Sequence, residues 1–222
     1  MTDTPAKITI DEAAGRTSDS KESSDRLPIH GAPARASEYL VRFSGALLDA
    51  AGLGPVLDLA CGDGRNGLYL AALGAGVLLV DISEEALPNI RELPRSDRVS
   101  FLRLDLEAPE PLPFEPGSCG AVLVFRYLHR PLIQPLRDCL APGGMFVYET
   151  FLQGQEAFGK PRNPVHLLSP GELAAWFGDW EILDLFEGRL ENPPRIMGRI
   201  ACRKPAVASA PKTVAVASGP CS

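Results

Sequence analysis

The sequence predicts an α/β domain with a doubly wound, mostly parallel, seven-stranded sheet, helices on both faces and an antiparallel hairpin at its end. Short apolar runs alternate with helical patterns along most of the chain. The runs are nearly continuous, as expected of strands that are buried on both faces. The last two runs are separated by a short turn alone, which is typical of a hairpin.

Five apolar runs predict the parallel strands, and two more predict the hairpin. In chain order they cover residues 55–60, 76–81, 99–105, 120–125, 144–151, 180–188 and 195–204. The stretch "RLENPP" joins the last two runs, and its prolines suit a turn. In such a sheet a ligand binds beyond the carboxyl ends of the strands, where the strand order reverses.

Helical patterns separate the strands. The first covers residues 37–52, with Ser37 as the expected N-cap and Gly52 as the stop signal. Its apolar side chains share one face, namely Leu40, Phe43, Leu47 and Leu48. Four further helices are predicted over residues 65–74, 83–93, 131–141 and 169–177.

Prolines and a serine set the expected form of three of these helices. We expect Ser83 to cap the helix that begins there, and Pro88 to kink or shorten it. The next helix is expected to break near Pro135. The last helix is expected to carry Pro170 near its first position, where the missing N–H is tolerated.

Composition divides the chain and narrows the function classes. Residues 1–26 are polar and predicted to be disordered, residues 205–222 form a flexible small-residue tail, and the domain covers residues 27–204. The net charge of −6 argues against a nucleic acid partner. Because neither a membrane span nor a secretory signal is recognisable, we expect a cytoplasmic protein. The five cysteines lack metal-type spacing, so no metal is expected, and no coiled-coil pattern indicates an oligomeric state.

The stretch "DLACGDGRNG" follows the first strand and contains Gly62, Gly64 and Gly67 in a G-x-G-x-x-G pattern. Such glycines let the backbone approach a ligand closely and suit more than one nucleoside cofactor. Asp58 and Asp63 would repel a pyrophosphate but favour the ammonium and sulfonium groups of S-adenosylmethionine. Because Gly67 falls inside the next helix, we expect it to be incidental to the ligand turn.

Two further acids follow the next two strands. Asp81 ends the second strand, where a carboxylate can accept hydrogen bonds from both ribose hydroxyls. Asp105 follows the third strand and either accepts from an adenine amino group or is only a turn residue. Four carboxylates and no lysine favour a cationic cofactor, while a nicotinamide-dependent oxidoreductase remains the alternative.

Together these motifs resemble those of class I S-adenosylmethionine-dependent methyltransferases. The matching stretches are "VLDLACGDGRN", "VLLVDIS", "LRLDLE" and "CLAPGGMFVYET", and the resemblance covers about residues 35–203. It implies a Rossmann-like fold and S-adenosylmethionine as cofactor. It also implies a cofactor-binding set made of Asp58, Ala60, Gly62, Gly64, Asp81, Ile82, Asp105, Leu106 and Phe125.

A closer resemblance is to the small bacterial tellurite-resistance (TehB-type) methyltransferases, through "DLACGDGRNGLYLAALG" and "GELAAWFGDWEILDLFEG". It implies a small acceptor, such as a thiol or chalcogen. Two positions depart from the wider family. Ala60 replaces the usual first glycine and is expected to fit only with a negative φ. Gly120 replaces a common acid before strand four, so the contact that this acid makes in the family is not predicted here. These two departures favour the hypothesis of a binding protein that lacks catalytic turnover.

Two loops at the expected mouth of the site carry basic and aromatic residues. "FRYLHRPL" follows strand four, and "ETFLQGQEAFGKPRNPVHLLSPGEL" follows strand five as a possible lid. They predict a pocket for an anionic acceptor, with Arg126, Arg130, Glu149, Arg162 and His166 as substrate-binding residues. His129 or Tyr127 could orient the acceptor or remove its proton.

Other interpretations stay open for the residues of the predicted acceptor pocket. The arginines could pair with neighbouring acids, His166 could cap a loop, Glu149 could anchor one, and Tyr127 could pack against the lid. A thiolate acceptor needs no strong base, whereas an amine or hydroxyl acceptor needs a group that takes its proton. The acceptor is expected to be a small molecule, with a protein acceptor as the alternative.

Overall fold

A computed structural model of the chain describes residues 35–94 and 96–206. The two predicted tails lie outside these residues, apart from residues 205 and 206, so the domain boundaries stay predictions. Within the described ranges, no helix combines the length and the apolar character needed to cross a membrane.

Seven strands of the described residues form one sheet in the order β3-β2-β1-β4-β5-β7-β6. The strands are β1 (Val56–Leu59), β2 (Val77–Asp81), β3 (Val99–Arg103), β4 (Cys119–Phe125), β5 (Leu140–Phe151), β6 (Glu181–Leu190) and β7 (Arg195–Arg203). β1 to β5 pair in parallel, and β7 runs antiparallel to both β5 and β6. The predicted fold, with its terminal hairpin, is confirmed.

The helices of the described residues surround this sheet. They are α1 (Glu38–Arg42), α2 (Ser44–Ala50), α3 (Arg65–Ala72), α4 (Ala86–Glu92), α5 (Ile133–Cys139) and α6 (Glu172–Phe177). The single helix predicted over residues 37–52 is two helices that meet at Phe43. Ser37 does cap the first of them, since its side chain accepts a hydrogen bond from the Tyr39 amide.

Prolines shift the helix starts rather than break the helices. Pro88 and Pro135 each fall in the first turn of a helix, where a backbone N–H has no intrahelical acceptor. The predicted break near Pro135 is therefore wrong, and α4 begins three residues after Ser83, which does not cap it. The last helix, α6, begins two residues after Pro170, with Gly171 as its N-cap.

The segment "APGG" belongs to β5, which begins at Leu140 rather than after a turn. The register of β4 and β5 shifts between Cys119 and Ala121, as in a β-bulge. Gly120 lies at this shift, and a Cβ there would clash with the carbonyl oxygens of Ala50 and Gly54. Backbone packing therefore leaves no room for an acidic side chain at this position.

Two apolar layers cover the sheet. On one face α5 and α6 contribute Leu136 and Phe177, which pack with Phe146 of β5. On the other face α1 to α4 contribute residues such as Leu40 and Leu70. The buried strands hold the carboxyl ends of β1, β2, β4 and β5 at one edge, and the loops at this edge carry the predicted site residues.

Candidate active site

The turn after β1 uses three left-handed residues. Ala60, Gly62 and Gly64 have φ values of 50°, 56° and 77°. Our expectation of a negative φ at Ala60 is thus wrong, and an L-residue pays about 1–2 kcal/mol in this conformation. A Cβ placed on Gly62 would meet no atom within 4 Å, so this side of the turn borders open space.

Asp81 connects the turn to the end of β2. One carboxylate oxygen accepts a hydrogen bond from the Gly62 amide at 2.8 Å, and the other accepts from the Ser83 amide at 2.9 Å. The side chain is only partly buried. A single carboxylate thereby fixes two loops at the carboxyl edge of the sheet and remains within reach of solvent.

Asp58 lies beneath the turn rather than on its open side. It is 1% exposed, and its Oδ2 accepts a hydrogen bond from the Gly67 amide in α3 at 2.8 Å. Burial raises the pKa of Asp58 to about 7, against the opposing effect of this hydrogen bond and of Arg65. The carboxylate consequently supports the start of α3 and the turn from the core side.

Gly67 lies inside α3 and outside the ligand turn, as expected, and its small size has a packing role. A Cβ at this position would lie 2.5 Å from Leu79 Cδ2, 2.9 Å from Val77 Cγ1 and 3.0 Å from Asp58 Oδ2. The missing side chain therefore lets α3 pack closely on β1 and β2. The third glycine of the pattern serves helix–sheet packing, which is one of the roles that the sequence pattern allows.

The remaining residues of the predicted cofactor set lie along the same edge. Asp105 is exposed, and its Oδ1 accepts from the Glu107 amide at 3.0 Å, as in a turn. Ile82 is 57% exposed, directly after Asp81. Leu106 and Phe125 are buried. The edge thus combines polar turn residues with apolar surface at its centre.

A cavity of about 590 Å³ opens beside this edge, between the loops that follow β3, β4 and β5. It brings together four residues that the sequence singled out, namely Arg126, Tyr127, Arg162 and His166, with the neighbouring Lys160 and Asn163. Leu128, Thr150, Phe151 and Pro161, from the two loops singled out in the sequence, also line it, whereas sequence reasoning assigned no role to Glu107. Glu107 follows Asp105 by two residues, so the carboxyl-end rule would have found it.

Arg126 has the most unusual backbone in the cavity wall. Its φ is 59°, and its amide donates to the Glu149 carbonyl at 2.7 Å. Partial burial, followed by the nearby positive charge of Arg65, lowers the pKa of the guanidinium. Non-glycine residues in this conformation cluster at functional sites. Among the described ion pairs none involves Arg126, Lys160 or Arg162.

The hydroxyl of Tyr127 is buried and makes no hydrogen bond of good geometry among the described residues, although the Glu107 carboxylate lies close enough to interact with it. Burial, followed by the negative charges of Glu107 and Asp105, raises the pKa of Tyr127. A buried hydroxyl without a partner costs about 1–3 kcal/mol. The hydroxyl thus lies buried beside Glu107, behind the surface of the cavity.

Arg130 does not point to a substrate, contrary to our prediction. Its Nε lies 2.6 Å from Glu172 Oε1, and its two other nitrogens donate to the Val165 and Leu167 carbonyls at 2.9 Å. The guanidinium is thus committed to fastening the loop after β5 to α6. Local sequence patterns cannot predict this contact, because Arg130 and Glu172 lie 42 positions apart.

Glu149 and His129 also lie outside the cavity wall. The Glu149 carboxylate is buried and lies 2.7 Å from Arg199 Nε on β7, although the N–H does not point along that line. The position of Glu149 outside the cavity wall favours the loop-anchoring alternative over substrate binding. His129 borders a separate apolar pocket of only about 10 Å³, which has no room for an acceptor.

Comparisons with known proteins agree with this architecture. Residues 56–144 match the family model described as a methyltransferase domain. A ubiquinone biosynthesis O-methyltransferase from Xanthomonas oryzae pv. oryzae is 28% identical over 79% of this chain and 80% of its own length.

Two solved structures share the fold. TehB from Haemophilus influenzae superposes with a TM-score of 0.56 and 24% identity, over 72% of this chain and 62% of that one. The second is the 1,6-didemethyltoxoflavin-N1-methyltransferase of Burkholderia thailandensis, solved with bound S-adenosylhomocysteine. It superposes with a TM-score of 0.52 and 20% identity, over 76% of this chain and 79% of that one.

Proposed function

We propose that this chain is a class I S-adenosylmethionine-dependent methyltransferase, as the methyltransferase-domain match supports, and that its acceptor is a small anionic molecule bound in the 590 Å³ cavity. The observation that carries the proposal is the set of cationic side chains in the cavity wall without carboxylate partners. Arg126, Lys160 and Arg162 line one volume and take part in none of the described ion pairs.

The residues at the neighbouring edge fit S-adenosylmethionine. The turn after β1 offers an open side at Gly62, and Asp81 holds a half-buried carboxylate next to it. We assign cofactor binding to Gly62, Gly64 and Asp81, and contacts around them to Ala60, Ile82, Asp105, Leu106 and Phe125. Asp58 holds the turn from below. When bound, the cofactor supplies a methyl group that its sulfonium has already activated.

The size and charge of the cavity support a small acceptor. Its volume lies within the roughly 300–1,000 Å³ of small-molecule sites. The arginine and lysine side chains of the wall are exposed, and such groups attract carboxylates and other oxyanions. Tyr127 and Thr150 add hydroxyl groups to the wall, which can orient such a ligand. The chain itself contributes alignment and exclusion of water, which is most of what an in-line methyl transfer requires.

The accepting atom is a second question. The Xanthomonas relative is named an O-methyltransferase, which supports oxygen. The resemblance to the tellurite-resistance type supports a thiol or chalcogen. We favour oxygen, because the cavity wall contains a carboxylate and a tyrosine that suit a hydroxyl group. A protein acceptor is the alternative, and the volume of the cavity suits a small molecule better.

The test is a transfer assay with methyl-labelled S-adenosylmethionine. The panel contains small carboxylates with hydroxyl, thiol or amine groups, their neutral amide counterparts, tellurite, and a protein fraction. We expect label in small anionic products. Label confined to proteins, or equal labelling of the neutral amides, would contradict the proposal.

A matched pair of variants assigns the effect to the cavity. Arg162→Gln should raise the acceptor KM about tenfold and leave the cofactor KM unchanged, since one desolvated charge-assisted hydrogen bond is worth about 1.5–3 kcal/mol. Arg91→Gln, on the exposed surface of α4, is the control and should change neither value.

A further inference from the structure

Glu107 is the single acidic residue among the described residues that line the cavity, and every charged neighbour in the wall is basic or a histidine. A purely anionic ligand would be repelled by this carboxylate. A ligand with a negative group and a hydrogen-bond donor would instead satisfy both parts of the wall. The wall thus contains one feature that the anionic-acceptor proposal leaves unexplained.

We propose that Glu107 is the catalytic proton acceptor of this enzyme and that its substrate is a small anion that also carries the hydroxyl group to be methylated. This inference rests on the proposed function and narrows its substrate class to hydroxylated carboxylates or related oxyanions.

Glu107 is held where this role requires it. The Asp105 carboxylate accepts a hydrogen bond from the Glu107 amide at 3.0 Å, so the turn after β3 directs residue 107 to the cavity. No described ion pair involves the Glu107 carboxylate. The residue is exposed and interacts with the Tyr127 hydroxyl, which leaves its oxygens within reach of a ligand. Asp105 acts here as a positioning residue.

Tyr127 supplies the second observation. Its hydroxyl is buried and interacts with the Glu107 carboxylate, although no hydrogen bond of good geometry reaches it, and the residue lines the same cavity. Burial and the charge of Glu107 keep this tyrosine protonated by raising its pKa. A substrate hydroxyl at Glu107 would therefore meet a carboxylate that has a protonated tyrosine beside it.

The proton step balances within these groups. The O–H bond of the substrate breaks, and its electron pair stays on the substrate oxygen, which becomes the nucleophile. The proton bonds to a carboxylate oxygen of Glu107, which becomes a neutral acid and later releases the proton to water. A thiolate acceptor has already lost its proton and needs no such step, whereas a hydroxyl acceptor does. A hydroxyl acceptor therefore accounts for the Glu107 carboxylate in the cavity wall.

Binding tests the substrate class. Calorimetry of the S-adenosylhomocysteine-saturated protein compares 3-hydroxybenzoate with benzoate, which differ by the hydroxyl group alone. We expect the wild type to prefer 3-hydroxybenzoate at least fivefold. Glu107→Ala and Tyr127→Phe should each bring the ratio close to one, whereas Glu110→Ala, an exposed acid of the same loop, should keep it. No preference in the wild type, or a preference that survives Glu107→Ala, overturns the proposal.

Kinetics tests the proton acceptor. With the hydroxy acid that is labelled best in the transfer assay, Glu107→Gln should lower kcat by about 100-fold with less than a threefold change in KM. With the corresponding mercapto acid the same variant should keep its rate within threefold. Equal losses for both acceptors, or no loss for the hydroxy acid, overturn the role.

The outcomes separate the two proposals. If Arg162→Gln does not weaken benzoate binding, the anionic site itself fails. If that binding weakens but the hydroxyl preference does not depend on Glu107, only the further inference fails. Thermal unfolding of each variant shows whether it is folded.

Discussion

The Asp81 carboxylate accepts a hydrogen bond from the Gly62 amide at 2.8 Å, and this bond joins the turn after β1 to the end of β2. Its other oxygen accepts from the Ser83 amide. The residue thus preorganises two loops that we assign to the cofactor, in addition to offering its own charge.

Asp81→Ala should therefore weaken cofactor binding by tenfold or more, because it removes both the charge and the loop connection. Calorimetry with S-adenosylhomocysteine measures the effect. Glu85→Ala, an exposed acid close by, is the control and should bind like the wild type. Equal affinity of Asp81→Ala and the wild type would remove Asp81 from the site.

Asp58 should make stability depend on pH. Its pKa is raised from 3.8 to about 7 in the folded state, so the folded protein holds a proton that the unfolded chain releases. The contribution of this protonation to the free energy of unfolding is complete below pH 3.8 and is lost as the pH rises to about 7. Each pKa unit corresponds to about 1.4 kcal/mol.

Asp58→Asn should remove this dependence and be more stable than the wild type at pH 8, since the amide oxygen can still accept from Gly67. Urea unfolding at pH 5 and pH 8 measures the difference, with the exposed Asp49→Asn as control. Identical pH slopes for Asp58→Asn and the wild type would contradict the burial argument.

Gly67→Ala should destabilise the protein by about 1–3 kcal/mol, because the new methyl group would overlap Leu79 and Val77. Gly45→Ala in α2 meets no atom within 4 Å and should leave stability unchanged or raise it by up to about 1 kcal/mol. Urea midpoints of the two variants decide between close packing and a general intolerance of substitution.

Ala60→Gly should stabilise the protein slightly. It removes the cost of about 1–2 kcal/mol for a left-handed L-residue and adds about 0.4–1 kcal/mol of unfolded-chain entropy. The expected net gain is about 0.5 kcal/mol, visible as a higher urea midpoint. A loss of stability would mean that the alanine methyl group contributes packing that outweighs the backbone strain.

Arg130→Gln should lower stability by about 1–3 kcal/mol, because Glu172 and two carbonyl groups lose their donor. Arg162→Gln should change stability by less than about 0.5 kcal/mol, since its guanidinium takes part in none of the described ion pairs. Thermal unfolding of both variants measures the contrast. If Arg162→Gln destabilised the protein more than Arg130→Gln, Arg162 would be the structural residue and Arg130 the candidate for binding.

Local patterns predicted the sheet well because burial on both faces leaves a direct trace in the sequence. Continuous apolar runs found the buried strands β1, β4 and β5, whereas the mostly exposed β6 was found with the help of "RLENPP", which marked the hairpin turn. Helix boundaries were less accurate, since first-turn prolines such as Pro88 and Pro135 look like interruptions when the helix start is unknown.

The sequence by itself determined the fold, the edge of the sheet that carries the site, and a cofactor turn with acids around it. Each of these follows from periodicity or from the residues next to a strand end. The tertiary structure alone decided which charges remain available. Glu149 and Arg130 are paired with residues distant in the chain, Asp58 is buried, and Arg126, Arg162 and Glu107 meet in one cavity. Ion pairing and burial depend on distances across strands and loops, and local sequence patterns carry no information on those distances.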